Sequence, residues 1–117
     1  MFAVYVVVTL IAIVANAAEA VLNFRRAESV LKNMAEARVP GAMLPYLGAI
    51  KGAGALGLTA GLLGPRPFGI AAAAGLTLFF LCAVAVHLYT RVLHNIYFPL
   101  LFLAFAAGSL ALGLTQL

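Results

Sequence analysis

Four long apolar runs divide the chain, and their spacing sets the architecture. Phe2 to Phe24 is almost wholly apolar, long enough as a helix to cross a hydrocarbon core of ~30 Å at ~1.5 Å per residue. From Arg25 to Arg38 the pattern changes but stays helical: Ala27, Val30, Leu31 and Met34 share a face, while Arg26, Ser29, Lys32, Asn33 and Glu36 point elsewhere. That is the signature of an amphipathic helix lying on headgroups, with Glu28 and Lys32 spaced as a favourable i,i+4 pair. A straight helix over residues 2–38 would be ~55 Å long and overshoot a bilayer. A bend near residues 24–29 is therefore expected, and Val39-Pro40-Gly41 ends the helix. A second span runs from Pro45 to Gly64, and Pro65-Arg66-Pro67 breaks it. A third, Phe68 to Tyr89, follows directly, so the two form an antiparallel hairpin. After a short polar patch, Thr90 to Asn95, Tyr97 and Phe98 take positions suited to interfacial aromatics. Pro99 suits a first helical turn, and an uncharged fourth span closes the chain. The pattern predicts an all-α protein: a four-transmembrane-helix bundle with a short interfacial amphipathic helix after the first span. The expected spans in this single membrane domain (1–117) are 2–24, 45–64, 68–89 and 97–117, with the interfacial helix over 25–38.

Periodicity inside the spans predicts which faces pack. Thr9, Asn16, Glu19 and Asn23 fall on one face of the first span, and polar groups facing lipid are costly, so this face should look into the bundle. Small residues recur at helical spacing in the later spans: Ala53, Gly57, Ala60, Gly61 and Gly64 on the second, Ala73 and Ala83 on the third, and Ala104, Gly108, Ala111 and Thr115 on the fourth. Such stripes let backbones approach closely in lipid.

Composition agrees with lipid as the solvent. Of 117 residues, 66% are apolar and 9% charged, against roughly 25% charged in soluble domains. Net charge is +4, but Arg25, Arg26, Lys32 and Arg38 crowd into one loop. No basic groove alternates with stacking aromatics, so nucleic acid is not the expected partner; a cationic collar at a membrane surface accounts for the same residues. The basic residues also predict orientation. Loops 25–44 and 90–96 carry the excess of Lys and Arg, which places them in the cytoplasm and both termini outside, in a multi-pass protein of the plasma (inner) membrane. A signal peptide cut near Ala15-Asn16-Ala17 is the rival reading of the first span, but no basic region precedes it and the apolar run continues beyond the site. The single cysteine, Cys82, excludes an internal disulfide, a Cys-x-x-Cys pair and a thiolate zinc site.

Gly52-Ala53-Gly54-Ala55-Leu56-Gly57 matches the dinucleotide fingerprint G-x-G-x-x-G literally. The fingerprint requires a preceding strand and an acidic residue ~20 positions on. Here the glycines sit inside a membrane-length run, and no Asp or Glu follows Glu36. No dinucleotide is expected, and a phosphate loop fails for want of Gly-Lys-Ser/Thr.

What remains is a polar layer near the basic end of the bundle: Asn16, Glu19, Asn23, Lys51 and His87, with Asn95 close by. A carboxylate and an ammonium at one depth should pair, since each alone costs up to ~3 kcal/mol at mid-membrane. Three readings stay open. Glu19–Lys51 is a structural clip with His87 hydrogen-bonded nearby; Lys51 snorkels to the interface; or the cluster lines a pocket for a polar headgroup or a quinone ring, with His87 as proton donor. No catalytic triad, carboxylate dyad or metal site is visible, and Glu19 with His87 alone makes a poor one.

These residues carry a resemblance. Asn16…Glu19…Asn23-Phe24-Arg25, the lead-in Val39-Pro40…Leu44-Pro45, Lys51-Gly52-Ala53-Gly54-Ala55-Leu56-Gly57-Leu58, Gly69-Ile70-Ala71-Ala72-Ala73 and His87 are similar to the pattern of the DoxX-like family of small four-helix membrane proteins. The resemblance implies membership of a group in which some proteins look like subunits of quinone-linked oxidoreductases, thiosulfate:quinone systems among them. A eukaryotic relative acts as an assembly chaperone for receptor channels, and many have no assigned role. The absence of a cysteine pair argues against thiol redox chemistry. The leading expectation is a non-enzymatic partner, anchoring or assembly subunit without a cofactor, embedded in the lipid bilayer as a homo-oligomer or beside another membrane protein. A quinone- or lipid-binding oxidoreductase subunit comes second, and a small-solute transporter or channel, lacking the paired repeats of transporters, third.

Overall fold

The computed structural model describes residues 2–94 and 96–116. Among them the chain folds as α1 (Phe2–Phe24), α2 (Glu28–Glu36), a 3₁₀ turn (Gly41–Met43), α3 (Leu44–Leu63), α4 (Arg66–Tyr89) and α5 (Tyr97–Leu114). Four of these helices, α1, α4, α5 and α3 with its leading 3₁₀ turn, are long and apolar enough to cross a membrane. α1 packs against α3 and α5, and α4 packs against the same two. The bundle is therefore a ring in which α1 and α4 stand diagonally. Its longest extent is 40 Å, the thickness of a bilayer with its headgroup regions.

The expected bend falls at Arg25–Ala27, so α2 is separate from α1 and shorter than residues 25–38. Met34 and Ala37 are buried beneath α2, and Glu28 and Lys32 remain exposed. The turn between α3 and α4 is tighter than predicted. Only Gly64 and Pro65 lie outside helix, because Arg66-Pro67 opens α4, where a proline's missing N–H is one of the unbonded donors anyway.

Three helices end in one way at the basic end of the bundle. After α1, Arg26 takes φ 52°, its N–H donates to Asn23 O (3.1 Å), and Ala27 N–H donates to Leu22 O (3.0 Å). After α2, Arg38 takes φ 57°, with Arg38 N–H donating to Ala35 O (3.1 Å) and Val39 N–H to Met34 O (2.8 Å). After α4, Arg91 takes φ 59°, with Arg91 N–H donating to Leu88 O (3.2 Å) and Val92 N–H to His87 O (2.9 Å). Each is a Schellman cap, whose left-handed residue is ordinarily glycine. A residue with a Cβ there costs roughly 1–2 kcal/mol. No described glycine has positive φ.

The glycines instead bring helices together. A Cβ at Gly54 would come within 2.6 Å of the Leu76 side chain, and one at Gly57 within 2.6 Å of Ala72 Cβ. A Cβ at Gly61 would fall inside the backbone of Gly69, so α3 and α4 touch main chain to main chain there. The inward face of α3 is thus Gly48, Gly54, Ala55, Leu58 and Gly61. Ala53, Ala60 and Gly64, predicted to pack, are exposed. On α5 the inward residues are Pro99, Ala106, Ser109 and Gly113, and Ala104, Ala111 and Thr115 are exposed, with Gly108 half-buried. Both helices are apolar on every side, so small residues occur on the lipid face as well as the packed one, and spacing alone does not separate them. On α4, Ala73 is fully buried as predicted. Ala12, Leu58, Ala73, Leu76, Phe80 and Ala106 form the core, one or more from each long helix.

Gly61→Leu should lower the stability of the detergent-solubilised protein by at least about 1–3 kcal/mol, the cost of overpacking. Gly75→Ala, where an added Cβ meets nothing within 4 Å, should be neutral or stabilising by up to ~1 kcal/mol. Thermal unfolding followed by circular dichroism, with both variants side by side, checks this.

Candidate functional site

The polar residues of α1 recur at helical spacing along its buried face, Tyr5, Thr9, Asn16 and Asn23, with Glu19 at its edge. Together with their partners they form a seam that runs the length of the bundle.

At the end away from the basic loops, Arg66 Nη1 donates to Tyr5 Oη (3.2 Å) and to the Gly61 carbonyl (2.8 Å). The guanidinium lies 4.9 Å from the Tyr5 ring centroid and 5.8 Å from that of Phe2, close enough for cation–π attraction. The cation therefore ties the α3–α4 turn to α1, and Tyr5 is only 2% exposed. One turn further in, the hydroxyls of Thr9 and Ser109 lie 2.7 Å apart, both buried. Asn16 Nδ2 donates to the Ala12 carbonyl (2.9 Å), satisfying its donor within its own helix. Its buried Oδ1 has no partner.

Near the basic end, Lys51 Nζ lies 3.6 Å from Glu19 Oε2 and 5.9 Å from the Phe79 ring centroid. The lysine side chain is 13% exposed and the glutamate 27%, so a half-buried pair bridges α1 and α3. The Lys51 ammonium is directed at Glu19 and the Phe79 ring. A turn closer to the interface, Asn23 lies with its amide oriented to donate to the Glu19 carbonyl (3.0 Å) and accept from Gly48 N–H (3.2 Å). Gly48 makes this approach possible: a Cβ there would sit 3.1 Å from Asn23 Cβ and 3.3 Å from the Phe24 ring.

His87 does not join the cluster. Its Nδ1 is 2.8 Å from the Ala83 carbonyl, and a carbonyl only accepts, so Nδ1 carries the proton and the ring is held by its own helix. Neither hydrogen bond nor ion pair joins His87 to Glu19 or Lys51. Two things separate them: α4 stands diagonally from α1, and the α3–α4 contacts Gly54–Leu76, Gly57–Ala72 and Gly61–Gly69 set Lys51 level with Phe79, about two turns deeper than His87. Asn95 lies outside the described residues. The seam also contains members that sequence reasoning missed. Tyr5 extends the polar spacing of α1 back by one turn, and Ser109 is an isolated hydroxyl in an otherwise apolar span. Arg66 gave no signal beyond being the single cation between two prolines.

Within the seam Glu19 and Lys51 face each other, and most side-chain donors end on acceptors within the bundle. The family model of the DoxX-like family matches residues 7–109 of the chain, in line with the motif around Lys51–Leu58. No curated protein and no solved structure matches the chain.

Replacing Glu19 by Gln strands the Lys51 ammonium in the bundle. It should cost on the order of 1–3 kcal/mol, below the 3–5 of a fully buried broken pair because both groups keep some exposure. Adding Lys51→Met should return much of that loss. Equal stability of single and double mutants in a chemical-unfolding series would mean that the two do not act as a pair.

Proposed function

The chain belongs to the DoxX-like family, and on that premise we propose that this small multi-pass membrane protein is a non-enzymatic anchoring or assembly subunit that works through its outer, lipid-facing surface. One observation carries the reading: most of the ionisable and polar side chains inside the bundle end on partners within it, Arg66 on Tyr5, Thr9 on Ser109, Lys51 on Glu19 and Asn23 on the Gly48 N–H. Such groups hold the helices and leave little chemistry for a substrate. The outward face of α3, with Ala49, Ala53, Leu56, Ala60 and Leu63 all exposed, offers small and apolar residues at helical spacing, to which another membrane helix can pack closely. The occupant is a second copy of the chain or a different membrane protein.

In the same reading the protein sits in the plasma (inner) membrane with its basic loops in the cytoplasm, since Arg25, Arg26, Lys32, Arg38 and Arg91 lie on one end and Arg66 alone on the other. A cysteine placed at position 32 in a Cys82→Ser background should react with a membrane-impermeant maleimide only after the cytoplasmic side is opened. Labelling of intact cells would reverse the assigned orientation.

Native mass spectrometry of the full chain in mild detergent tests the role itself. A subunit should leave the membrane as an oligomer or with a protein companion retained. A monomer carrying one quinone would instead support an oxidoreductase subunit, in which the layer of Asn16, Glu19, Asn23, Lys51 and His87 is a ligand site.

A further inference from the structure

We infer that the basic end of the bundle is a seat for the phosphate headgroups of anionic phospholipids, with a cavity beside Arg26 and with Arg38 and Arg91 at the same end. The inference is independent of the subunit reading above.

The first observation is where the arginines stand. The three left-handed helix caps among the described residues, at Arg26, Arg38 and Arg91, all carry arginine where such a cap ordinarily carries glycine. Glycine would adopt it without strain, and the chain spends eleven glycines elsewhere. Guanidinium is the side chain that matches phosphate oxygens with a planar fork of donors. The three caps share one end of the bundle by topology, each following α1, α2 or α4. Two of them are also drawn together, since Glu36, two residues before Arg38, holds its Oε2 3.0 Å from Nε2 of His94, three residues after Arg91.

The second observation is a cavity of about 120 Å³ lined by Asn23, Phe24, Arg26, Leu44 and Pro45. It is open on one side and has room for a phosphate group. It lies between the α1 cap and the first turn of α3, with the exposed Phe24 ring at its side, so a lipid could place phosphate at Arg26 and chains along the aromatic. Charge fits the occupant. Arg25, Arg26, Lys32, Arg38 and Arg91 face only Glu28 and Glu36 at this end, and Glu36 is engaged by His94. Lys51 is set apart by Glu19.

The test uses the full chain in neutral detergent, mixed with equal amounts of phosphatidylglycerol and phosphatidylcholine and read by native mass spectrometry. The wild type should retain phosphatidylglycerol preferentially. Each of R26G, R38G and R91G keeps or improves the backbone cap while removing the guanidinium, and should weaken that retention by roughly fivefold, the effect of one basic residue at an anionic surface. The triple variant should lose it by on the order of 100-fold, with a melting temperature in lipid-free detergent no lower than wild type. Equal retention of the two lipids by the wild type overturns the proposal, as does a triple variant that keeps its phosphatidylglycerol. Thermal protection by inorganic phosphate alone, equal to that by phosphatidylglycerol, also overturns it, since the site would then read free anion and not a lipid.

Discussion

Inside a bilayer there is no hydrophobic force pulling one apolar helix onto another, because lipid chains solvate leucine as well as a neighbouring helix does. Everything that holds this bundle together follows from that constraint. Association needs either backbones close enough for dense dispersion contact or polar groups whose alternative is an unbonded position in hydrocarbon. The chain uses both, and divides them between helices. α1 carries the polar side chains and meets α3 and α5 through hydroxyl, amide and ion pairs. α3 and α4 carry the small residues and meet through the Gly61–Gly69 backbone contact and the Gly57–Ala72 pair.

This division explains what could be read from the residues. The spans, the hairpin, the bend after Phe24 and the lipid environment all depend on run length and on proline, glycine and charge, which are local. The buried face of α1 was legible because three or four polar residues on an apolar helix leave only one sensible direction. The packed faces of α3 and α5 were not. Around α3, alanine and glycine occur on every side, so Ala53 and Ala60 fit a packing stripe as well as Gly54 and Gly61 do. Only the positions of α1 and α4 decide between them. His87 failed for a related reason: both its level against Lys51 and its azimuth depend on how α3 and α4 slide and close the ring, which residue counting does not supply.

The loops carry a second allocation. Glycine, which could relieve every left-handed cap, stands mostly inside helices, where its backbone disorder in the unfolded chain is a cost that close packing offsets at Gly54, Gly57 and Gly61. Arginine takes the caps, where the positive charge also faces the negative end of each helix dipole. The same three positions thus end helices, mark the bundle's basic end and keep cations at the level of the headgroups. Arg66, the cation of the opposite end, is used in another way, turned inward against Tyr5 and Gly61.

The Thr9–Ser109 bond joins residues one hundred positions apart, the first helix to the last. During synthesis α1 enters the membrane with its polar face bare, and Lys51 and Gly48 of α3 cover only the half near the basic end. The hydroxyl of Thr9 waits for nearly the whole remaining chain to be made. Until then its hydroxyl can turn back to its own helix, as Thr59 and Thr77 do toward Ala55 and Ala73. The bond therefore makes the last side of the ring the one with the longest reach along the chain: the α1–α5 seam closes only when α5 displaces that local bond and gives Thr9 a partner across the bundle.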